Sequence, residues 1–142
     1  MNGFVATAEI DVAAPPERVW SALTDPAAIQ RYMFGTRVQT DWQPGSPITW
    51  SGEFQGRPYQ DRGRILEVIP AERLTVTHFS PLSGKPDVPE NYHTLVYELT
   101  GSGAGTRLRL SQDNNPSPDD AEHSRGMWEQ MLRDLKQTVE KP

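Results

Sequence analysis

The chain has 142 residues, a net charge of −5 and no cysteine. That length suits one domain, 1–142, with a buried core, and the lack of cysteine excludes disulfides and thiolate metal sites. The acidic balance, with no basic stripe between the aromatics, argues against a nucleic-acid partner.

No apolar run approaches membrane-spanning length, and Met1-Asn2-Gly3-Phe4 does not open a signal peptide, so a cytoplasmic protein is expected. The hydrophobic fraction is only 35%, but four Trp, four Tyr and four Phe concentrate apolar area in a few places.

From Phe4 to Val12 apolar and polar residues alternate as in a half-buried strand. Pro15-Pro16-Glu17 opens a short helix with an apolar face of Val19, Trp20 and Leu23. Asp25-Pro26 caps and starts a second short helix that ends near Tyr32. A short strand follows over Thr36–Thr40, then a turn at Pro44-Gly45-Ser46. Ile48–Phe54 and Tyr59–Ile69 read as strands joined near Gln55-Gly56-Arg57. After the turn Pro70-Ala71-Glu72-Arg73, Leu74–Phe79 is the next strand.

Ser80–Asn91 holds three prolines and a glycine and reads as a long loop. Tyr92–Thr100 and Thr106–Gln112 form a hairpin around Gly101-Ser102-Gly103-Ala104-Gly105. Those glycines precede the alternating Thr106-Arg107-Leu108-Arg109-Leu110, not a helix, so a phosphate-binding loop is not supported.

The chain closes with its only long helical pattern. Ser117 is a suitable N-cap, Pro118 suits the first helical position, and Asp119 and Asp120 complement the helix dipole. Met127, Trp128, Met131, Leu132, Leu135 and Val139 recur at helical spacing, and a helix over 118–140 would be roughly 34 Å long. The expected packing face is Met127, Met131 and Leu135. The order of elements, mostly strands with one long helix, predicts an α+β fold with a long helix against an antiparallel sheet.

The three histidines show no metal-ligand spacing, and neither a metal nor a cofactor is expected. His123 falls in the first turns of the helix and reads as a solvated or packing residue. His78 shares strand parity with Leu74 and Val76, and His93 with Leu95, Tyr97 and Leu99, so both imidazoles are expected on the buried face. There they are either ordinary packing residues or polar anchors of a pocket. Glu53, Asp61 and Glu67 are expected to face solvent. No nucleophile-elbow pattern supports an acyl-transfer triad.

The run from Ala14-Pro15-Pro16-Glu17-Arg18-Val19-Trp20 to Asp25-Pro26 resembles the opening of the START-like (SRPBCC) superfamily. The branch it resembles is the activator-of-heat-shock-protein-ATPase homologue group. Gly63-Arg64-Ile65-Leu66-Glu67-Val68-Ile69-Pro70 with Arg73-Leu74, Gly105-Thr106-Arg107-Leu108, and Gly126 with Trp128, Leu132 and Leu135 are similar to later parts of the same pattern. The resemblance implies a helix-grip fold: a curved antiparallel sheet wrapped around the C-terminal helix, two short helices after the first strand, and a cavity between sheet and helix. It transfers no catalytic residue. His78, the Ser80–Asn91 loop and Gln112-Asp113-Asn114-Asn115 resemble a bacterial subgroup and make His78, His93 and Gln112 candidate pocket groups.

The expected function is binding of a hydrophobic small molecule, lipid-like or aromatic. The expected ligand-binding residues are Trp20, Trp50, His78, His93, Tyr97, Gln112, Met127, Met131 and Leu135. One alternative is a cyclase- or dehydratase-type enzyme with His78 or His93 as acid–base. Another is a protein–protein module of the chaperone-regulator kind, which implies a protein partner.

Overall fold

The computed structural model describes residues 2–141. The elements run β1 (Phe4–Val12), α1 (Pro16–Thr24), α2 (Pro26–Tyr32), β2 (Arg37–Gln39), β3 (Pro47–Phe54), β4 (Arg57–Ile69), β5 (Arg73–His78), β6 (His93–Ser102), β7 (Gly105–Asn115) and α3 (Pro118–Glu140). The strands form one antiparallel sheet in the order β1-β7-β6-β5-β4-β3-β2. Its inner face curves around α3, the helix-grip arrangement that the family resemblance implied.

Local chemistry sets the element ends. Ser117 caps α3 by accepting a hydrogen bond from the Asp120 backbone N–H at 3.1 Å, and Asp25 caps α2 through Ala27. The β3–β4 hairpin turns on Gln55 and Gly56, both at positive φ (52° and 77°). That two-residue turn matches the twist of its strands and fixes the register from Phe54↔Arg57 to Pro47↔Arg64.

The core lies between the inner face of the sheet and the three helices. From α3 it takes Met131, Leu132, Leu135 and Val139, all buried; from the sheet it takes residues such as Val12, Ile65, Val76, Leu108 and Leu110. The far end of α3 is clamped to the β1–α1 connection. Ala13 N–H donates to the Glu140 carboxylate at 2.7 Å, and Arg18 donates to the Val139 carbonyl at 2.5 Å. The Ala13 N–H, followed by Lys136, holds the Glu140 carboxyl below its usual range.

Two expectations are corrected here. Met127 is 57% exposed and outside the core. The buried stripe of α3 runs through Trp128, Met131, Leu132, Leu135 and Val139, and at about 100° per residue Met127 lies about 90° from its centre. Asp61 does not face solvent. β4 carries a bulge between Ile65 and Glu67, where its pairing with β5 shifts by one residue. A one-residue shift exchanges the faces of a strand. Leu66 is thereby turned outward, 48% exposed, while Ile65 and, beyond it, Asp61 turn inward.

The loop over 80–91 contains two short 3-10 turns, Pro81–Ser83 and Pro89–Asn91. It is tied to the outer face of the sheet by Arg62–Asp87 at 3.1 Å and by Tyr92 Oη donating to Asp87 at 2.6 Å. Phe79, expected as the last strand residue, instead makes an isolated bridge with Arg62 and is buried with its ring stacked on Tyr92.

Candidate functional site

Four strands bring polar and aromatic side chains together at one end of the inner face. β3 supplies Trp50, and the hairpin register sets Asp61 of β4 directly opposite it. β5 ends at His78, paired with His93 at the start of β6. His78 Nε2 lies 2.8 Å from Asp61 Oδ2, and both side chains are largely covered, 20% and 15% exposed. Trp50 meets the His78 ring edge-on at 5.0 Å between centroids, and the two imidazoles stack at 6.5 Å.

The partners define the tautomers. A carbonyl oxygen can only accept, so the 2.8 Å contact of His93 Nδ1 with the Asp113 carbonyl puts a proton on that nitrogen. A carboxylate likewise accepts from His78 Nε2. His78 Nδ1 and Asp61 Oδ1 are then buried without a partner among the described residues. Unsatisfied buried polar atoms are uncommon, and each calls for an explanation in strain, a functional role, or a bound water, ion or ligand.

Gln112 lies opposite Leu95 on β7, diagonal to His93, and is buried. Its Oε1 accepts from Trp128 Nε1 of α3 at 3.2 Å, which links helix to sheet. Beside it, Asn115 accepts from Ser124 of α3 and donates to the Phe4 and Gln112 carbonyls.

Of the nine residues expected at a site, Trp50, His78 and His93 converge here, and Gln112 lies on the same face two residues along β7 from the position opposite His93. Tyr97 and Trp50 border a small apolar gap of about 20 Å³ with Ile29, Tyr32, Val38 and Trp42. Such a volume holds about one water molecule. Burial raises the pKa of Tyr97, and it raises that of Tyr32 well above the ordinary tyrosine value. Tyr32 Oη donates to the Ala22 carbonyl at 3.0 Å. Met131 and Leu135 are packed core, Trp20 is half-buried against that core, and Met127 is outside it. A wide cleft of about 1070 Å³ lies instead on the outer face, between the sheet and the 80–91 loop, with Arg62, Arg64, Thr77 and Tyr92 in its wall.

Among the described residues no group of three or more His, Cys, Asp or Glu side chains could hold a metal ion, and no helix is long and apolar enough to cross a membrane. Sequence reasoning missed Asp61, Trp42 and the contact of Trp128 with Gln112. The signal for Asp61 was present: a two-residue turn at Gln55-Gly56 sets it across from Trp50.

The family model for activator of Hsp90 ATPase homolog 1-like protein matches residues 13–140. The chain belongs to this family. The solution structure of ChR145 from Cytophaga hutchinsonii is similar at 44% identity, over 99% of this chain and 96% of that one, with a TM-score of 0.86. CalU16 from Micromonospora echinospora is similar at 27% identity, over 94% and 74% of the two chains, with a TM-score of 0.70. The Aha1 dimer from Colwellia psychrerythraea shares the fold, with a TM-score of 0.76 at 20% identity over 97% of each chain. A search of curated proteins finds no match. As a member of this family the chain has the SRPBCC fold, which serves ligand-binding and regulator modules.

Proposed function

We propose that the protein binds a hydrophobic small molecule, lipid-like or aromatic and bearing a hydroxyl or similar donor, between the inner face of the sheet and α3. The observation that carries this reading is the buried, unpartnered His78 Nδ1, backed by Asp61 and bordered by Trp50 and His93. A hydroxyl brought there by an apolar ligand removes a polar deficit that the protein leaves open. The aromatic rings supply apolar area at about 25 cal/mol per Å².

The inner gap is water-sized, so binding goes with a local opening. The wall beside Trp50 suits that. β2 has three residues and is an edge strand, and the stretch after α2 holds Phe34 and Trp42 at positive φ (55° and 60°). Left-handed conformations in bulky residues cost about 1–3 kcal/mol each, and their release offsets part of the opening.

Calorimetric titration with 2-naphthol and with 2-methylnaphthalene tests the reading. The wild type is expected to prefer the naphthol, and His78→Phe to lose that preference while still folding. Absence of saturable binding by either compound would contradict it.

A further inference from the structure

We propose that Asp61 and His78 act as a general acid–base pair on a hydrophobic carbonyl compound with an acidic C–H beside the carbonyl. The inference rests on the binding reading above, with an acidic C–H standing in place of the hydroxyl at His78 Nδ1, and goes beyond it from anchoring to proton transfer. Three features support it. The 2.8 Å contact from Asp61 Oδ2 fixes the tautomer, so the neutral ring carries its lone pair on Nδ1. A carboxylate behind an imidazole orients the base and stabilises the cation formed when it takes a proton. Nδ1 itself has no protein partner among the described residues, so no internal hydrogen bond competes for the lone pair.

The neighbouring groups agree with this chemistry. The titratable side chains against the His78 ring are Asp61 from β4 and His93 from β6; Trp50 from β3 is apolar at the contact. Gln112 accepts from Trp128 through Oε1, so its amide nitrogen is the donor end available to a substrate oxygen. In the step, His78 Nδ1 takes the proton from the carbon beside the carbonyl. The C–H electrons form the enolate double bond, and the carbonyl π electrons move to oxygen. The imidazolium then returns the proton to carbon or to the enolate oxygen, so the reaction is an isomerisation that needs no co-reactant. His78 is the catalytic residue and Asp61 a positioning residue.

The probe is 5-nitrobenzisoxazole, an apolar aromatic that opens to a coloured cyanophenolate when a base removes its ring C–H and the N–O bond breaks. Binding is followed by tryptophan quenching and turnover by colour. The wild type is expected to show saturable turnover. His78→Gln should lower kcat by about a hundredfold or more. Asp61→Asn should lower kcat with KM little changed, and Asp61→Glu should restore part of it; a merely structural role would not give that split. Thermal unfolding of each variant reports its folding, and the Asp61→Asn and Asp61→Glu kinetics decide should His78→Gln fail to fold. Quenching without turnover, or turnover indifferent to His78→Gln in a folded variant, would overturn the acid–base assignment and leave the binding reading standing. Absence of quenching alongside saturable 2-naphthol binding would overturn the acid–base assignment alone, and absence of both would overturn both.

Discussion

Asp61 reaches His78 across a glycine. The pairs Ile65↔Val76 and Arg62↔Phe79 set Gly63 opposite His78, and Asp61, two residues along the same face, fills the space with its carboxylate 2.8 Å from the imidazole. Gly63 is required there by backbone proximity: a Cβ at this position would stand 1.7 Å from the Thr77 carbonyl oxygen.

Gly63→Ala should therefore be among the most damaging small substitutions in the chain. Overpacking in a well-filled interior costs about 1–3 kcal/mol, and a clash with backbone belongs at or above the top of that range. Chemical denaturation measures it. A midpoint near that of the wild type would show that β4 and β5 separate freely at this point.

The two sides of α3 should respond differently. Leu135 is fully buried, so Leu135→Ala should cost about 2–5 kcal/mol. Met127 is exposed, and Met127→Ala should stay within about 0.5 kcal/mol of wild type. Equal effects in urea unfolding would contradict the assigned packing face.

Tyr32 and Tyr97 predict an alkaline limit to stability. Burial raises both above the ordinary value of 10.0, so the folded state keeps protons that the unfolded chain releases. Their contribution is complete below pH 10 and is lost as pH rises above it. Tyr97→Phe should flatten the decline of the unfolding free energy between neutral pH and pH 11. An unchanged slope would contradict the assignment.

His93 holds the Asp113 carbonyl through Nδ1 and stacks on the His78 ring. His93→Phe should cost about 1–3 kcal/mol of stability by leaving that carbonyl unpaired, and should weaken 2-naphthol by disturbing the His78 ring it supports. Calorimetry alongside thermal unfolding separates the two effects, and unaltered affinity would return His93 to a packing role.

Much of this architecture was legible in the sequence because local signals agreed. Ser117-Pro118-Asp119-Asp120 marks the start of α3. The inward parity of His78 and His93 followed from the alternation of their strands, anchored by Val76 on β5 and Leu95 on β6. Asp61 was not legible by alternation, because the bulge at Leu66 exchanges inside and outside partway along β4. Met127 sits at the margin of the helical stripe, where spacing alone does not separate core from surface. The closed interior depends on how the aromatic rings of Trp42, Trp50 and Tyr97 fill space, which no periodicity encodes.

The most direct measurement is a heteronuclear NMR titration with 2-naphthol. The binding account predicts saturable shifts at the Trp50 and Trp128 indole N–H groups and at the His78 and His93 rings, with the backbone amides of Arg62, Arg64 and Tyr92 unmoved. Shifts confined to those outer-face amides, beside the wide cleft, would contradict it.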